Sequence, residues 1–267
     1  MNNKCTVLIN SCDKYEDAWY PFFELIKKYW NECEYPFVLN TETKNYKHTG
    51  VNLEVIKIES KSEKWGSRLI NSLNKIESEY VILLLEDFFL LGPVDYVEIE
   101  RCIQWMNIEK NIAAIYFKKI AGFVSDKKSD VLNDYILMEE NKRYKLNLQA
   151  GLWNREKLIS LIQDEDTPWS FEEIGYKRLE NLNYKFYCSA VGSHYNTEKN
   201  VFKYLVARDF GYGIWKGKWL WNNDKLLKSK GIEVRKVKMN RMSKYQYLIL
   251  KIKYRLNHLL KRKISMD

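Results

Sequence analysis

The chain has 267 residues with 46% hydrophobic and 30% charged side chains, a balance typical of one large folded domain, and no uncharged apolar run approaches the roughly 20 residues that span a bilayer. Its five cysteines form no Cys-x-x-Cys pair, which argues against a zinc site, and their odd number without a signal peptide favours reduced thiols in the cytoplasm. The net charge of +9 is uneven, because residues 225–263 hold fourteen Lys and Arg against one acid, Glu233. This asymmetry indicates an anionic partner for the C-terminal tail.

The first third of the chain alternates strands with helices. Apolar runs predict strands at 4–10, 36–40, 51–58 and 80–85, and helical spacing predicts helices at 14–30 and 63–77. This order favours an α/β fold with a mostly parallel central sheet flanked by helices.

The remaining pattern is less regular. It predicts helices at 94–109, at 155–163 and from Pro168, strands at 113–117 and 184–192, a strand or extended segment at 146–153, an irregular insertion at 120–145 and little order at 196–223. Asn154 is a candidate cap for the helix that follows it.

The strongest functional signal is the end of the strand at 80–85, where five aliphatic residues run into Glu86 and Asp87. A run this apolar and short predicts a strand buried on both faces, and open α/β sheets bind ligands outside the carboxyl ends of such strands. Two acids there can hold a metal, orient a sugar hydroxyl or move a proton. The alternative is a strand-end cap or a surface salt bridge.

Two further polar residues lie at predicted element ends. Asp13 follows the first strand, where it could accept a hydrogen bond from a ribose or base, or cap the next helix. Arg68 opens the helix before the acidic strand, where it could reach donor phosphates or remain a solvated charge.

Several common motifs are absent from the sequence. There is no Gly-x-Gly-x-x-Gly, no P-loop and no Gly-x-Ser-x-Gly, and none of the three histidines has metal-ligand spacing with another His or Cys. Dinucleotide, P-loop, hydrolase-elbow and histidine-metal chemistry therefore lack support.

Three segments together resemble the GT-A-fold glycosyltransferases of bacterial surface-polysaccharide (capsule and lipopolysaccharide) biosynthesis. They are Val7–Trp19, Tyr80–Leu90, and Gln149–Arg155 followed by Pro168–Glu172. The resemblance implies a GT-A-like sheet and a nucleotide-sugar donor bound across the first and fourth strands.

The resemblance also implies an Asp-x-Asp motif that binds a divalent ion, Mn²⁺ or Mg²⁺, at the end of the fourth strand. Here the triplet is Glu86-Asp87-Phe88, so Asp87 is the candidate metal ligand and metal dependence is open. Some members of the fold neutralise the diphosphate with basic residues instead, and Glu86 and Asp87 would then hold sugar hydroxyls. The basic candidates are Lys203, Arg208, Lys216 and Lys218.

For catalysis, the resemblance favours Glu172 as the general base of an inverting transferase, with Glu173 as the fallback. A carboxylate beside aromatic rings can have its pKa raised towards the value that a general base needs. The alternative is that these acids only stabilise the start of the helix, where the helix dipole favours negative charge. Gln149, Trp153 and Trp169 are candidate residues of the acceptor or sugar pocket. The alternative for Gln149 and Trp153 is ordinary burial at a strand end.

The C-terminal extension, 224–267, follows a catalytic domain predicted at 1–223. Residues 243–262 have helical periodicity with an apolar side (Tyr245, Leu248, Ile249, Ile252, Leu256, Leu259, Leu260) and a basic side (Lys244, Lys251, Arg255, His258, Arg262). A basic amphipathic helix suits an anionic membrane surface, and the alternative is packing on the body with its basic face in water. We expect no nucleic-acid partner, since no recognised module is present.

The sequence therefore predicts a cytoplasmic glycosyltransferase, peripheral on the inner face of the cell membrane, acting on a lipid-linked glycan. The rival hypothesis is a non-catalytic α/β protein that binds membrane or polyanion. A sugar-phosphate nucleotidyltransferase is a weaker alternative, because no Gly-rich, Arg-containing N-terminal loop is visible.

Overall fold

An eight-stranded sheet forms the centre of the computed structural model, which describes residues 4–58, 64–123, 134–191, 197–209 and 211–264. In the last helix, side chains are described up to Leu256, except Arg255. The sheet strands are β1 (Cys5–Asn10), β2 (Phe37–Thr41), β3 (Leu53–Lys57), β4 (Tyr80–Leu85), β5 (Ile112–Tyr116), β6 (Tyr135–Leu137), β7 (Gly151–Asn154) and β8 (Lys185–Ser189).

The strand order is β3-β2-β1-β4-β7-β5-β8-β6. The pairs among β1 to β4, and the pair β5–β8, are parallel, whereas β7 and β6 run antiparallel to their neighbours. Helices pack on both faces, where two large apolar clusters form the core. This confirms the predicted α/β fold with a mostly parallel central sheet.

The helices are α1 (Trp19–Tyr29), α2 (Trp65–Asn74), α3 (Tyr96–Ile108), α4 (Arg155–Leu161), α5 (Pro168–Ile174), α6 (Asn223–Ser229) and α7 (Lys244–Ile264), and short 3₁₀ turns cover Asp13–Ala18, Gly175–Leu179 and Ala207–Asp209. Asn154 caps α4 as predicted, because its side chain accepts from the Lys157 N–H at 3.1 Å. None of the described helices is both long and apolar enough to cross a bilayer.

The pairing of β1 with β4 positions the candidate site. All six residues of β1 are buried and so are five of the six in β4, which explains their continuous apolar runs. Their parallel register sets Asn10 beside Leu85. The segments that follow, Ser11 to Asp13 and Glu86 to Phe88, therefore leave the sheet side by side.

A second, three-stranded sheet has two of its strands in the part of the chain where the sequence predicts little order, 196–223. Its strands are β9 (Ile214–Trp215), β10 (Lys218–Leu220) and β11 (Arg241–Met242). Because β10 pairs with β11, this sheet connects residues on both sides of the predicted boundary at 223/224. Leu226 and Ile232 pack into the main core. The division into two domains stays a prediction.

Candidate functional site

Glu86 and Asp87 lie at the carboxyl end of β4, as predicted. Glu86 is 5% exposed and Asp87 is partly buried. Burial, and then the neighbouring charge of Asp87, raises the pKa of Glu86, while burial raises the pKa of Asp87. The pair therefore holds a proton more readily than two exposed acids would, and it can both donate and accept hydrogen bonds.

Arg68 faces this pair from the first turns of α2. It is 7% exposed, and its Nη1 lies 3.2 Å from a Glu42 carboxylate oxygen and 3.5 Å from the Ser11 carbonyl oxygen. Its charge opposes the rise in the Glu86 pKa. The buried Nε has no hydrogen-bond partner among the described residues. Leaving a buried N–H donor without a partner costs free energy, so a ligand oxygen that accepts a hydrogen bond from Nε would bind favourably here.

Close packing of α2 fixes the position of Arg68. A Cβ on Gly66 would lie 1.9 Å from the carbonyl oxygen of Gln163, so only glycine permits this approach. The Gly66 N–H donates to the Asp166 carbonyl at 3.0 Å. Asp166 in turn pairs with Arg178 through two hydrogen bonds. The start of α2 is therefore anchored to the segment that leads into α5.

Asp13 holds the loop after β2. Its carboxylate accepts hydrogen bonds from the backbone N–H groups of Glu42, Thr43 and Lys44 and from the Thr43 hydroxyl. Burial acts to raise the pKa of Asp13, but these hydrogen bonds outweigh it and hold the pKa below its ordinary value. The observed role is a loop clamp that places Glu42 against Arg68, and direct contact with a nucleoside stays a prediction.

The β9–β10 hairpin covers Asp87. The Ile214 N–H donates to Asp87 Oδ2 at 3.0 Å. Gly213 has φ of +99°, and a Cβ there would lie 2.5 Å from the Asp87 carbonyl oxygen. The hairpin carries Lys216 at its turn and Lys218 in β10, so two of the predicted diphosphate residues lie on an element that contacts the acid pair.

The 3₁₀ turn after β1 brings a third lysine to this hairpin. A Cβ on Gly217 would lie 3.3 Å from Lys14 Nζ, so the ammonium reaches the hairpin turn. Burial, with the charges of Cys12, Glu86 and Asp87, raises the pKa of the adjacent Tyr15 to about 12. Lys14 and Tyr15 are therefore site residues that the sequence patterns did not reveal.

The Tyr204 ring lies near both Asp87 and Glu172. It stacks on Phe88 with centroids 4.2 Å apart, and its hydroxyl donates to Gln149 Oε1 at 2.9 Å. Burial raises the pKa of Tyr204, and the carboxylates of Asp87 and Glu172 add to that rise. The predicted base and the predicted donor acids thus share one neighbour.

Glu172 lies in α5 and is partly buried. Its Oε1 accepts from the Leu148 N–H at 2.9 Å. Burial raises the pKa of Glu172 and the charge of Glu173 adds to the rise, whereas the Leu148 hydrogen bond and the Arg208 charge oppose it. This environment gives Glu172 a higher proton affinity than a free carboxylate has in water.

Three other predicted site residues differ in their surroundings. Trp153 is fully buried in the core, where Tyr116, Phe171 and Phe186 surround it, so it contributes packing and not a pocket wall. Trp169 is 70% exposed on α5, one turn before Glu172. Lys203 donates to the Pro93 carbonyl at 2.8 Å and is therefore held at the loop after β4.

A divalent metal has limited support from the residues themselves. The described parts of the chain contain no group of three or more His, Cys, Asp or Glu residues that could hold a metal. Phe88, the third residue of the acidic triplet, is 7% exposed and stacked on Tyr204. Two carboxylates are nevertheless the number with which Mg²⁺ commonly binds when substrate phosphates supply other ligands. His194 and the His258 side chain lie outside the described residues.

A cavity of about 210 Å³ lies apart from these residues. Its lining includes Trp19, Tyr20, Tyr46 and Arg235, and none of the predicted site residues. The candidate site is therefore defined by the convergence of its charged groups and not by this cavity.

Known structures share part of this fold. Residues of the Staphylococcus aureus protein TarS (1–349, in complex with UDP-GlcNAc) match 71% of this chain with a TM-score of 0.47 at 12% identity, and this chain spans 57% of that one. CMP:2-keto-3-deoxy-manno-octonic acid synthetase, complexed with CTP, matches 71% of this chain and 92% of its own, with a TM-score of 0.40 at 12% identity. The bifunctional IspDF from Campylobacter jejuni matches 76% of this chain and 56% of its own, with a TM-score of 0.41 at 14% identity. No protein-family model and no curated protein sequence matches this chain.

Glu42 and Tyr204 are further site residues that sequence reasoning missed. Glu42 follows β2 directly, so the strand-end rule that found Glu86 could also have found it. Tyr204 gave no usable signal, because it comes from an irregular segment more than a hundred residues beyond β4.

Proposed function

We propose that this protein is a glycosyltransferase that moves a sugar from a nucleoside-diphosphate donor to a glycan acceptor. The observation that supports this most is the grouping of three carboxylates with raised pKa values: Glu86 and Asp87 are adjacent at the end of β4, and Asp87 and Glu172 both act on Tyr204. Carboxylates perturbed by burial and by specific neighbours cluster at functional sites.

The donor would bind across the ends of β1 and β4. Arg68 Nε, which has no partner among the described residues, would donate a hydrogen bond to a ribose or phosphate oxygen, and Glu86 and Asp87 would hydrogen-bond sugar hydroxyls. Lys14, Lys216 and Lys218, which lie on or reach the hairpin over Asp87, would neutralise the diphosphate. Glu42 would position Arg68, and Asp13 would hold the loop that carries Glu42.

Asp87 and Glu86 would hold a divalent ion, Mn²⁺ or Mg²⁺, only together with the donor's phosphates. Such an ion would stabilise negative charge on the diphosphate. Phe88 leaves the usual third ligand position apolar, so the phosphates would have to supply the missing ligands.

Transfer would proceed with inversion. Glu172 would take the proton from the acceptor hydroxyl as the oxygen forms its bond to the anomeric carbon, and the bond from that carbon to the diphosphate oxygen would break. The diphosphate would leave with the electron pair, stabilised by the basic residues. Gln149, fixed by the Tyr204 hydroxyl, and the exposed Trp169 ring would contact the acceptor.

The acceptor proposed is a lipid-linked glycan, with the enzyme on the inner face of the cell membrane. The support is the charge of the C-terminal part of the chain, where fourteen basic residues stand against one acid between 225 and 263. Anionic lipids attract such a segment.

Calorimetry with UDP, GDP and CDP, each with and without Mn²⁺, tests the donor site. We expect one nucleotide to bind the wild-type protein, and Arg68→Gln to weaken that binding by about 10–100-fold, the loss typical of a charge-assisted hydrogen bond. Failure of all three nucleotides to bind would favour the non-catalytic rival. The matched control is Arg101→Gln, which removes an exposed arginine on α3 that pairs with Glu98.

Glu172→Gln tests the base. The amide keeps the shape of the side chain but cannot take a proton, so we expect transfer to fall by about 10²–10⁴-fold while nucleotide affinity stays within twofold. Glu180→Gln, on the exposed surface after α5, is the matched control. Loss in Glu173→Gln with wild-type rates in Glu172→Gln would assign the base to Glu173 instead.

A further inference from the structure

The C-terminal helix α7 is attached to the body through one side only. Tyr247 is 1% exposed, its hydroxyl donates to the Arg208 carbonyl at 2.8 Å, and its ring centroid lies 5.0 Å from that of Trp215. One turn later Lys251 is also buried, and after it the Tyr254 hydroxyl accepts from Arg208 Nη1 at 3.0 Å. These contacts fix the rotation of the helix about its axis.

The opposite side of α7 exposes a row of apolar residues, which we call the apolar row: Tyr245, Leu248, Ile252 and Leu256. Ile252 is 58% exposed and Leu256 is 53% exposed. At about 100° per residue, positions 245, 248, 252 and 256 lie within a stripe roughly 80° wide, whose centre is roughly 130° from that of 247, 251 and 254. The helix therefore packs on the body, but with its apolar row directed outward and a lysine buried inward.

Positive and aromatic side chains border the apolar row. Lys244 and Lys253 are exposed at positions that fall on either side of it. Trp221, which is 40% exposed, lies beside the helix start, with Lys244 Nζ 5.5 Å from its ring centre. Lysines that extend from the edges of an apolar stripe, with a tryptophan nearby, suit the boundary between lipid headgroups and acyl chains.

We propose that the apolar row of α7 docks on an anionic bilayer surface, with the helix axis parallel to the membrane plane. Charge complementarity decides the occupant: a second copy of this strongly basic segment would be repelled, whereas anionic headgroups are attracted. A polyanion such as nucleic acid would satisfy the lysines but leave the aliphatic row in water. The inference rests on this surface alone and does not depend on the transfer reaction.

The proposed base lies near the side of α7 that faces the body. Arg208, which binds Tyr254 of α7, is close enough to Glu172 to oppose the rise in its pKa. Burial raises the pKa of Tyr144, and Tyr254 and Glu172 lie close enough to add to that rise. The proposed acceptor side of the site is thus next to α7, on the side of the helix opposite the apolar row.

Vesicle flotation of the full chain tests the proposal. Wild-type protein should float with vesicles of phosphatidylcholine mixed with phosphatidylglycerol, and should float much less with phosphatidylcholine alone or in high salt. The double variant Leu248→Gln/Ile252→Gln should lower partitioning by about tenfold or more, because both side chains would otherwise leave water. Lys244→Glu/Lys253→Glu should lower it by about 25-fold or more, since each cation contributes about fivefold.

The matched control is Val97→Gln/Ile108→Gln, which makes the same kind of change on α3, where both residues are at least 77% exposed. It should float like the wild type. All three variants alter exposed side chains, so their thermal unfolding should match the wild type. Equal flotation of the Leu248/Ile252 variant and the wild type would overturn the proposal. A wild-type dimer in light scattering that the Leu248/Ile252 variant converts to a monomer would also overturn the proposal. Tight RNA binding without any vesicle binding would overturn it as well.

Discussion

Removal of the Asp13 carboxylate should destabilise the protein by about 2–4 kcal/mol. This carboxylate accepts hydrogen bonds from three backbone N–H groups and the Thr43 hydroxyl. Hydrogen bonds to a charged group contribute about 1.5–3 kcal/mol each when the freed partner stays buried. Thr43 is exposed and its neighbours in the loop are partly exposed, so water can replace part of this loss in Asp13→Ala, and the total falls well below the sum.

A graded series separates the clamp from a direct ligand contact. Thr43→Val removes only the hydroxyl bond and should cost about 1 kcal/mol, whereas Asp13→Ala should lower Tm by about 6–12 °C. Asp164→Ala removes an exposed aspartate side chain and should change Tm little. Both loop variants should weaken nucleotide binding, because the loop carries Glu42, the partner of Arg68.

The pH dependence of the Asp13 effect has a defined sign. Hydrogen bonds hold the pKa of Asp13 below its ordinary value, so the clamp contributes fully above about pH 4 and is lost as the pH falls through the lowered value. The difference in free energy of unfolding between the wild type and Asp13→Ala should shrink there. A cost below about 1 kcal/mol in Asp13→Ala, together with complete loss of nucleotide binding and no effect of Thr43→Val, would refute the clamp and favour direct contact.

Three further predictions concern the site. The charge of Glu173 raises the pKa of Glu172, and the charge of Arg208 opposes that rise. Glu173→Gln should therefore move the acid limb of the kcat/KM profile to lower pH, and Arg208→Gln should move it to higher pH. Limbs that do not move in opposite directions would contradict Glu172 as the base. Phe88→Asp should not create Mn²⁺ binding in calorimetry. In urea unfolding, it should lower the free energy of unfolding by about 3–5 kcal/mol, because a buried ring stacked on Tyr204 is lost. A variant as stable as the wild type would show that the stacking is dispensable. Gly213→Ala should weaken nucleotide binding and cost about 1–2 kcal/mol from backbone strain alone, since φ is +99° and the new methyl meets the Asp87 backbone; unchanged affinity would separate the hairpin from the donor site.

Much of the candidate site could be predicted where it depends on strand ends. The segments that carry Asp13 and the pair Glu86 and Asp87 converge because β1 and β4 are adjacent parallel strands, and adjacent parallel strands bring their carboxyl ends to one edge. The contact between Asp87 and Ile214 joins residues 127 positions apart and could not be predicted. No local pattern encodes it, since β9 has only two residues.

Trp153 illustrates the same limit. It lies in β7, which inserts antiparallel between β4 and β5 and so has both edges hydrogen-bonded. A tryptophan near a polar turn looks the same in the sequence whether its strand lies at the edge or in the middle of a sheet. The position of β7 inside the sheet, together with Phe171 of α5 packed on the Trp153 face, decides that Trp153 belongs to the core.

The sequence by itself determined the parallel α/β core, the acid pair at the end of β4 and the basic amphipathic character of the tail. These depend on the burial pattern of single elements, which composition and spacing encode directly. The tertiary structure decided that Asp13 binds a loop, that a hairpin covers Asp87, and that α7 directs its apolar row away from the body. Each of these depends on which distant surface an element meets, and that is settled only when the whole chain packs.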